Sequence, residues 1–163
     1  MTLDDLNDLD PLAAREAFGS CCGSARWAGE MTAARPFGSL EAMRRRGDEV
    51  WDALGQTDWL EAFAAHPKIG EQRPVTAWSA AEQGGMTSAP DDTKSRLAAL
   101  NAEYEKRFGY IFIVCATGKS ASEMLALLVE RLSHDPGSEL AVAAGEQRRI
   151  TALRLAKLLD AHQ

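Results

Sequence analysis

One segment of the chain, residues 110–115, differs from everything around it and limits the folds that the sequence can adopt. It reads Tyr-Ile-Phe-Ile-Val-Cys, which is rich in β-branched and aromatic residues, and Gly109 and Gly118 bound it. No second segment of this kind offers it a strand to pair with. We therefore predict an extended connector that passes through the core rather than a strand of a sheet.

Helix start and stop signals recur along the rest of the sequence. Asp10-Pro11 supplies an N-cap acceptor followed by proline at the first helical position. We predict that Gly19 ends this first helix and that residues 135–137 form a turn before the last one. The predicted helical segments are residues 10–18, 24–34, 39–54, 57–65, a short helix from Ser79, then 90–108, 120–132 and 139–159. They predict an all-α, single-domain bundle over residues 1–163, with about seven to nine helices, short links and one extended buried connector.

Composition excludes several classes of partner. The formal net charge of −6 argues against nucleic acid and against an anionic membrane surface, because both need a basic face. The apolar runs are too short to cross a bilayer, and the acidic N-terminus lacks the apolar segment of a secretory signal, so we expect a cytoplasmic protein. The three cysteines contain no Cys-x-x-Cys pair, which leaves a metal site or a redox motif without support. We expect reduced, mostly buried thiols.

His66 is the residue that best fits a chemical role. It precedes Pro67 at the end of the apolar-patterned residues 58–65, and a residue before proline is pushed out of the helical region. Its imidazole would then sit on a rigid helix-to-loop junction, where a side chain can face a cleft. The alternative is that the histidine only complements the negative end of the helix dipole. His134, in a predicted loop, and His162, beside the end of the sequence, are poorly placed for chemistry.

Two other places carry polar groups that a small substrate could use. Glu82 and Gln83 offer the donors and acceptors that ureido and cyclic amide groups require, but Ser79-x-x-Glu82 also has the form of a helix capping box. Arg154 lies in or beside the apolar stripe of the last helix. There it could snorkel or pair with an acid, or it could clamp a substrate carboxylate or planar oxygen. On the residues alone these alternatives stay open, and no reaction is named.

Short motifs occur in a fixed order over nearly the whole length. They are Cys21-Cys22-Gly23-Ser24-x-x-Trp27, Arg35-Pro36-Phe37, Asp58-Trp59-Leu60-Glu61-Ala62-Phe63, His66-Pro67-Lys68-Ile69-Gly70, Ser79-x-x-Glu82-Gln83, Phe108-Gly109-Tyr110, Phe112-Ile113-Val114-Cys115-Ala116, Glu146-Gln147 and Arg154-Leu155. Each is weak singly, and together they are highly specific. In this combination the chain resembles the 2-oxo-4-hydroxy-4-carboxy-5-ureidoimidazoline (OHCU) decarboxylases, a family of urate breakdown.

The resemblance implies an all-helical homodimer that needs no metal or organic cofactor. Its small-molecule substrate would be the ureido-imidazoline OHCU, and its products (S)-allantoin and carbon dioxide. By the family pattern His66 is the catalytic acid/base. The residues that would line the substrate are Pro67, Ser79, Glu82, Gln83, Phe112, Ile113, Val114, Cys115, Ala116 and Arg154.

The implied reaction suits this set of residues. Loss of carbon dioxide leaves an electron pair, which the C=N of the substrate ring can accept in place of a cofactor. His66 would exchange a proton with the substrate hydroxyl and deliver one to a single face of the ring. Three alternatives stay open: a different ureido or cyclic amide substrate on the same fold, a non-catalytic helical binding module, and a metal-dependent hydrolase.

Overall fold

A computed structural model of the chain describes residues 1–67 and 90–160, and this part contains eight helices. They are α1 (Leu3–Asp8), α2 (Pro11–Cys21), α3 (Ala25–Ala34), α4 (Leu40–Ala53), α5 (Gln56–Ala64), α6 (Asp91–Phe108), α7 (Ala121–Arg131) and α8 (Pro136–Asp160). No β-strand occurs among the described residues, and the predicted all-α class is confirmed. The short helix predicted from Ser79 lies outside them. Within the same ranges, no helix is long and apolar enough to cross a membrane.

Several predicted helix ends are confirmed by their caps. Three serines cap helices: Ser24, Ser39 and Ser120. Each side chain accepts a hydrogen bond from the backbone N–H three residues later, which would otherwise lack a partner within the helix. Gly109 ends α6 with φ of +86°, in the left-handed region that glycine adopts without a Cβ penalty.

Two predicted boundaries are wrong. Gly19 does not end α2, which continues to Cys21; burial of Cys21 offsets the cost of about 1 kcal/mol for a glycine inside a helix. The predicted turn at residues 135–137 is the start of α8, whose first residue is Pro136. The Asp135 carboxylate accepts from the N–H of Ser138 at 3.0 Å, so this Asp-Pro pair begins a helix as Asp10-Pro11 does.

Helix α1 has no counterpart among the predicted segments. Thr2 and Asp5 form a capping box in which the backbone N–H of each residue bonds the side chain of the other, at 2.8 and 3.1 Å. At the other end of α1, the guanidinium of Arg35 donates to the carbonyls of Leu6, Asn7 and Leu9. These carbonyls would otherwise lack helical partners.

The chain divides into two compact units, unit 1 (Met1–Ala62 and Gln147–Gln163) and unit 2 (Phe63–Glu146). In unit 1, α2 packs against α3 and α3 against α4. Trp27 lies in this core with its ring centroid 6.1 Å from that of Phe18, and its indole N–H donates to the carbonyl of Gly47 at 3.0 Å. A Cβ at position 47 would lie 3.3 Å from the Trp27 ring, so glycine permits this close approach.

Unit 2 is organised around the connector, residues 111–116. Helix α6 packs against α7. The connector is neither helix nor strand, and its residues from 112 to 116 are buried, so the predicted buried connector is confirmed. The hydrophobic core of this unit consists of Leu97, Tyr104, Phe112, Val114, Ala116, Ala121, Met124 and Leu128.

Candidate active site

His66 lies just beyond the end of α5, in unit 2. Its backbone N–H donates to the carbonyl of Phe63 at 3.1 Å, and the next residue, Pro67, is buried. His66 itself is partly exposed. The helix therefore ends where the His-Pro pair predicts, and a partly exposed imidazole is carried on a hydrogen-bonded helix end.

Phe63 links this helix end to the connector. Its fully buried ring lies 5.3 Å from that of Tyr110, measured between centroids. The ring of Tyr110 in turn contacts Tyr104 and Phe108, with centroids 5.9 and 6.3 Å apart. Within unit 2, an aromatic cluster thus joins the helix end before His66 to the residues that lead into the connector.

The connector alternates between two environments. Phe112, Val114 and Ala116 belong to the hydrophobic core of unit 2, while Ile113 and Cys115 are buried outside that core cluster. A period of two is the period of an extended chain, in which successive side chains point to opposite sides. The pattern is that of a strand, although no strand pairs with it among the described residues.

Side chains bond the backbone of the connector in place of a neighbouring strand. Arg131 Nη1 donates to the Ile113 carbonyl at 2.6 Å. Lys119 Nζ donates to the Cys115 carbonyl at 2.8 Å, and Glu146 Oε1 accepts from the Cys115 N–H at 3.3 Å. Buried backbone polar groups need such partners, because leaving them unpaired costs free energy.

Arg131 also belongs to a buried ion pair that the sequence reasoning missed. Its Nε and Nη2 donate to Glu139 Oε2 at 2.9 and 2.6 Å, and the Tyr104 hydroxyl donates to the same oxygen. His134 Nδ1 lies 3.0 Å from Oε1 of the same carboxylate. The Arg131 and Glu139 side chains are only 5% and 0% exposed. Burial, followed by the hydrogen bond to Glu139, raises the pKa of the Tyr104 hydroxyl, so this phenol remains a donor.

Arg154 is buried in unit 1, with 7% of its surface exposed. The positive charge of Arg154 acts electrostatically on the nearby thiols of Cys21 and Cys22. Thr151 lies beside Cys22, and its hydroxyl accepts a hydrogen bond from the Gln147 side chain at 3.0 Å. Burial raises the pKa of Cys21 to about 12 and that of Cys22 to about 11, although neighbouring hydrogen bonds and the Arg154 charge act in the opposite direction. Both thiols are therefore protonated at neutral pH. Cys21, Cys22 and Cys115 are all buried and none is in a disulfide, and their predicted burial is confirmed.

The predicted site residues fall into three groups. Unit 2 contains His66, Pro67, Phe112, Ile113, Val114, Cys115 and Ala116, whereas Arg154 belongs to unit 1. Ser79, Glu82 and Gln83 lie outside the described residues, as do the rest of the His-Pro-Lys-Ile-Gly motif and His162. Over residues 1–67 and 90–160, His, Cys, Asp and Glu form no group of three that could hold a metal ion.

Together these features define an all-helical protein with a histidine at a helix end and a buried connector held by side chains. Comparison with known proteins identifies the class. The sequence model of the OHCU decarboxylase family matches residues 7–156, which is most of the chain. The chain belongs to this family.

Individual relatives agree with the family assignment. The uric acid degradation bifunctional protein TTL of Arabidopsis thaliana is 42% identical over 86% of this chain and 45% of its own length. The OHCU decarboxylase of Mus musculus is 37% identical over 78% of this chain and 75% of that protein, and the one from Haloferax volcanii is 30% identical over 96% and 95%. The chain thus spans less than half of the bifunctional relative and most of the two decarboxylases.

Two solved structures share the fold. A crystal structure of OHCU decarboxylase in the presence of (S)-allantoin aligns with a TM-score of 0.80 and 37% identity, over 88% of this chain and 96% of that one. A structure of (S)-allantoin synthase aligns with a TM-score of 0.74 over 98% of this chain and 55% of that one. Its identity of 22% supports the fold alone.

Proposed function

We propose that this chain is an OHCU decarboxylase, a cofactor-independent carboxy-lyase that forms (S)-allantoin and carbon dioxide in urate breakdown. The observation that carries this proposal is the similarity to the mouse and Haloferax volcanii decarboxylases, which extends over most of those proteins as well as most of this chain. The alignment with a structure obtained in the presence of (S)-allantoin supports the same product.

His66 is the proposed acid/base. The bond between the ring carbon and the carboxylate breaks, carbon dioxide leaves, and the electron pair forms a double bond to the neighbouring ring carbon. The electron pair of the C=N bond moves onto the ring nitrogen, which takes up a proton from solvent. The substrate hydroxyl then loses a proton as it becomes a carbonyl, and the neighbouring ring carbon gains one. A histidine can both accept and donate a proton near neutral pH. The partly exposed His66 lies on a hydrogen-bonded helix end. This fixed position supports protonation of the substrate ring carbon from one face, which would give a single enantiomer.

The proposed substrate contacts come from four parts of the chain. Main-chain groups of the connector, together with Glu82 and Gln83 beside Ser79, would hold the ureido and ring amide groups. The apolar side chains of Phe112 and Ile113 would favour loss of the charged carboxylate, because an apolar surrounding stabilises neutral carbon dioxide better than the carboxylate. Pro67 would also line the substrate, as the family resemblance implies. Arg154 would steady a substrate oxygen with its guanidinium.

The test uses substrate generated in situ from urate by the two preceding enzymes of the route, with circular dichroism to follow the allantoin formed. We expect rapid formation of one enantiomer by the wild type, and a rate about 10²–10⁴-fold lower for His66→Asn, the usual contribution of a general acid/base. A His66→Asn variant that kept the wild-type rate and stereochemistry would remove His66 from the mechanism. Slow racemic product from the wild type would instead indicate another ureido or cyclic amide substrate.

Arg154 has a matched control on the same helix. Arg154→Met should lower kcat/KM by about 100-fold, the loss expected when a charged hydrogen bond to substrate is removed. Arg148 pairs with Asp52 at the protein surface, where both side chains are about half exposed. Arg148→Met should therefore leave kcat/KM unchanged. Equal losses in the two variants would argue against a role for Arg154 in binding.

Three further properties belong to the proposal: a homodimer, a cytoplasmic location, and a single functional domain over residues 1–163. They rest on the family resemblance and the sequence. Light scattering of the purified protein tests the dimer, and fractionation of the producing cells tests the location. A single cooperative transition on thermal unfolding would support one domain, whereas two separate transitions would contradict it.

A further inference from the structure

We propose that Arg131 is a positioning residue that fixes the connector in the arrangement needed to hold the substrate. The inference rests on the proposed function, in which the connector contacts the substrate. Arg131 itself would not touch the substrate. It would act through the Ile113 carbonyl and the Phe112 ring, while Glu139 holds the other side of its guanidinium.

The donors of Arg131 face two different parts of unit 2. Nη1 points to the carbonyl of Ile113, while Nε and Nη2 both point to Glu139 Oε2. Because the guanidinium is planar and rigid, the directions of its donors are coupled. An anchor at Glu139 therefore also fixes the direction of the donor that reaches the connector.

The same guanidinium contacts the neighbouring residue of the connector. Its central carbon lies 4.5 Å from the ring centroid of Phe112, and 5.9 Å from that of Tyr104. A cation over an aromatic face within about 6 Å is attracted by the ring quadrupole. Arg131 thus holds one side chain and the next carbonyl of the connector, which sets the place of both.

Stability alone is a weak reason for this arrangement. Replacing a buried ion pair by apolar side chains of similar volume is often neutral or stabilising, since taking two charges out of water is costly. Arg131 follows Met124 and Leu128 on the buried side of α7, where a leucine would pack. A leucine could not bond the Ile113 carbonyl, and this bond is what the arginine adds.

The decisive variant is Arg131→Lys, compared with Tyr104→Phe. Lysine keeps the charge near Glu139, but its compact ammonium cannot reproduce a fork that reaches both the carboxylate and the carbonyl. Tyr104→Phe also removes a hydrogen bond to Glu139 Oε2, while its ring remains and the bond to Ile113 is untouched. The control therefore disturbs the same buried cluster without releasing the connector.

Kinetics at a temperature where each variant is fully folded give the first readout. We expect Arg131→Lys to raise KM about tenfold with kcat changed less than about threefold, since a misplaced connector loses binding that ground state and transition state share. Tyr104→Phe should keep KM within about twofold of the wild type. Unchanged KM in Arg131→Lys, or an equal rise in both variants, would overturn the proposal.

Hydrogen exchange gives a second readout that needs no activity. In Arg131→Lys, amides of residues 110–117 should exchange about tenfold faster than in the wild type, while exchange in the helices of unit 1 stays unchanged. The same result is expected for the double variant Arg131→Met/Glu139→Leu, which removes both charges while keeping bulk. Exchange in this segment equal to that of Tyr104→Phe would overturn the positioning role. A wild type that does not turn over OHCU would overturn the proposed function instead, and hydrogen exchange would still decide whether Arg131 fixes the connector.

Discussion

The two units each bury an arginine, but the polar groups around the two arginines differ. In unit 2, Arg131 is met by the carboxylate of Glu139, which also accepts from the Tyr104 hydroxyl. In unit 1, Arg154 lies near the thiols of Cys21 and Cys22, which burial keeps protonated. One buried charge is thus compensated by another charge, whereas the thiols near the second arginine contribute none.

This difference separates two uses of a buried guanidinium. A cation paired with a carboxylate inside its own unit has its field largely cancelled, which suits holding a neighbouring backbone segment in place. The thiols near Arg154 carry no charge at neutral pH, and the use proposed for this arginine is to steady a substrate oxygen. Removal of Glu139 and removal of a thiol should therefore have unequal consequences, because loss of Glu139 leaves the buried charge of Arg131 without the charge that compensates it, whereas loss of a neutral thiol removes no charge.

The largest expected effect is that of Glu139→Ala in unit 2. Breaking a buried ion pair from one side costs about 3–5 kcal/mol, so the free energy of unfolding should fall by about that amount. Urea denaturation followed by circular dichroism measures it. Glu130→Ala, at an exposed position of α7, is the control and should change the free energy by less than about 0.5 kcal/mol. If Glu139→Ala lowered the free energy of unfolding by less than about 1 kcal/mol, Glu139 would not be compensating a buried charge on Arg131.

A smaller effect is expected from the thiols of unit 1 at alkaline pH. Their pKa values are raised from the ordinary 9.0 to about 12 for Cys21 and about 11 for Cys22, so the folded chain keeps protons that the unfolded chain releases. Their contribution is fully present below pH 9. Between pH 9 and the folded-state pKa of each thiol, the free energy of unfolding falls by about 1.4 kcal/mol per pH unit for that thiol.

The double variant Cys21→Ala/Cys22→Ala provides the comparison for this pH dependence. It should unfold with a shallower dependence on pH than the wild type between pH 9 and 11, because it lacks both titrating groups. Urea titrations at several pH values give the two slopes. Parallel slopes for the two proteins would mean that burial does not hold these thiols in the neutral form.

The same comparison explains what the sequence could predict. The sequence singles out Arg154 because this charged residue lies on an apolar stripe. It also predicts the buried connector, because the composition of that segment is unlike that of a helix. Arg131 carries a readable signal too, because it follows Met124 by seven residues and Leu128 by three, which puts it on the buried side of α7. Its acceptor, the Ile113 carbonyl, is a backbone atom, and no residue pattern reveals which backbone atom a distant side chain will reach.

Local sequence signals predicted where most helices begin and end, but they did not predict the contacts between residues far apart in the sequence. Serine caps and Gly109 mark their helix ends correctly, since their partners lie three or four residues away. Gly19 is misleading, because the benefit of burying Cys21 comes from the rest of unit 1. The capping box of Thr2 and Asp5 was readable, whereas Arg35 at the far end of α1 was not.

The smallest effect tests whether the two units are independent in stability. Gly19 in α2 of unit 1 and Gly145 in α8 of unit 2 are helical, and a Cβ added at either would meet no described atom within 4 Å. Gly19→Ala and Gly145→Ala should each raise the free energy of unfolding by about 0.5–1 kcal/mol, because alanine loses less backbone entropy in a helix.

Calorimetry of these two variants then decides between two descriptions of the chain. If the units unfold as one cooperative body, each substitution should raise the midpoint of the same single transition by a similar amount. If they unfold separately, Gly19→Ala should move only the transition of unit 1 and Gly145→Ala only that of unit 2. In the second case the Arg131–Glu139 ion pair would stabilise unit 2 alone. Glu139→Ala should then leave the midpoint of the unit 1 transition unchanged.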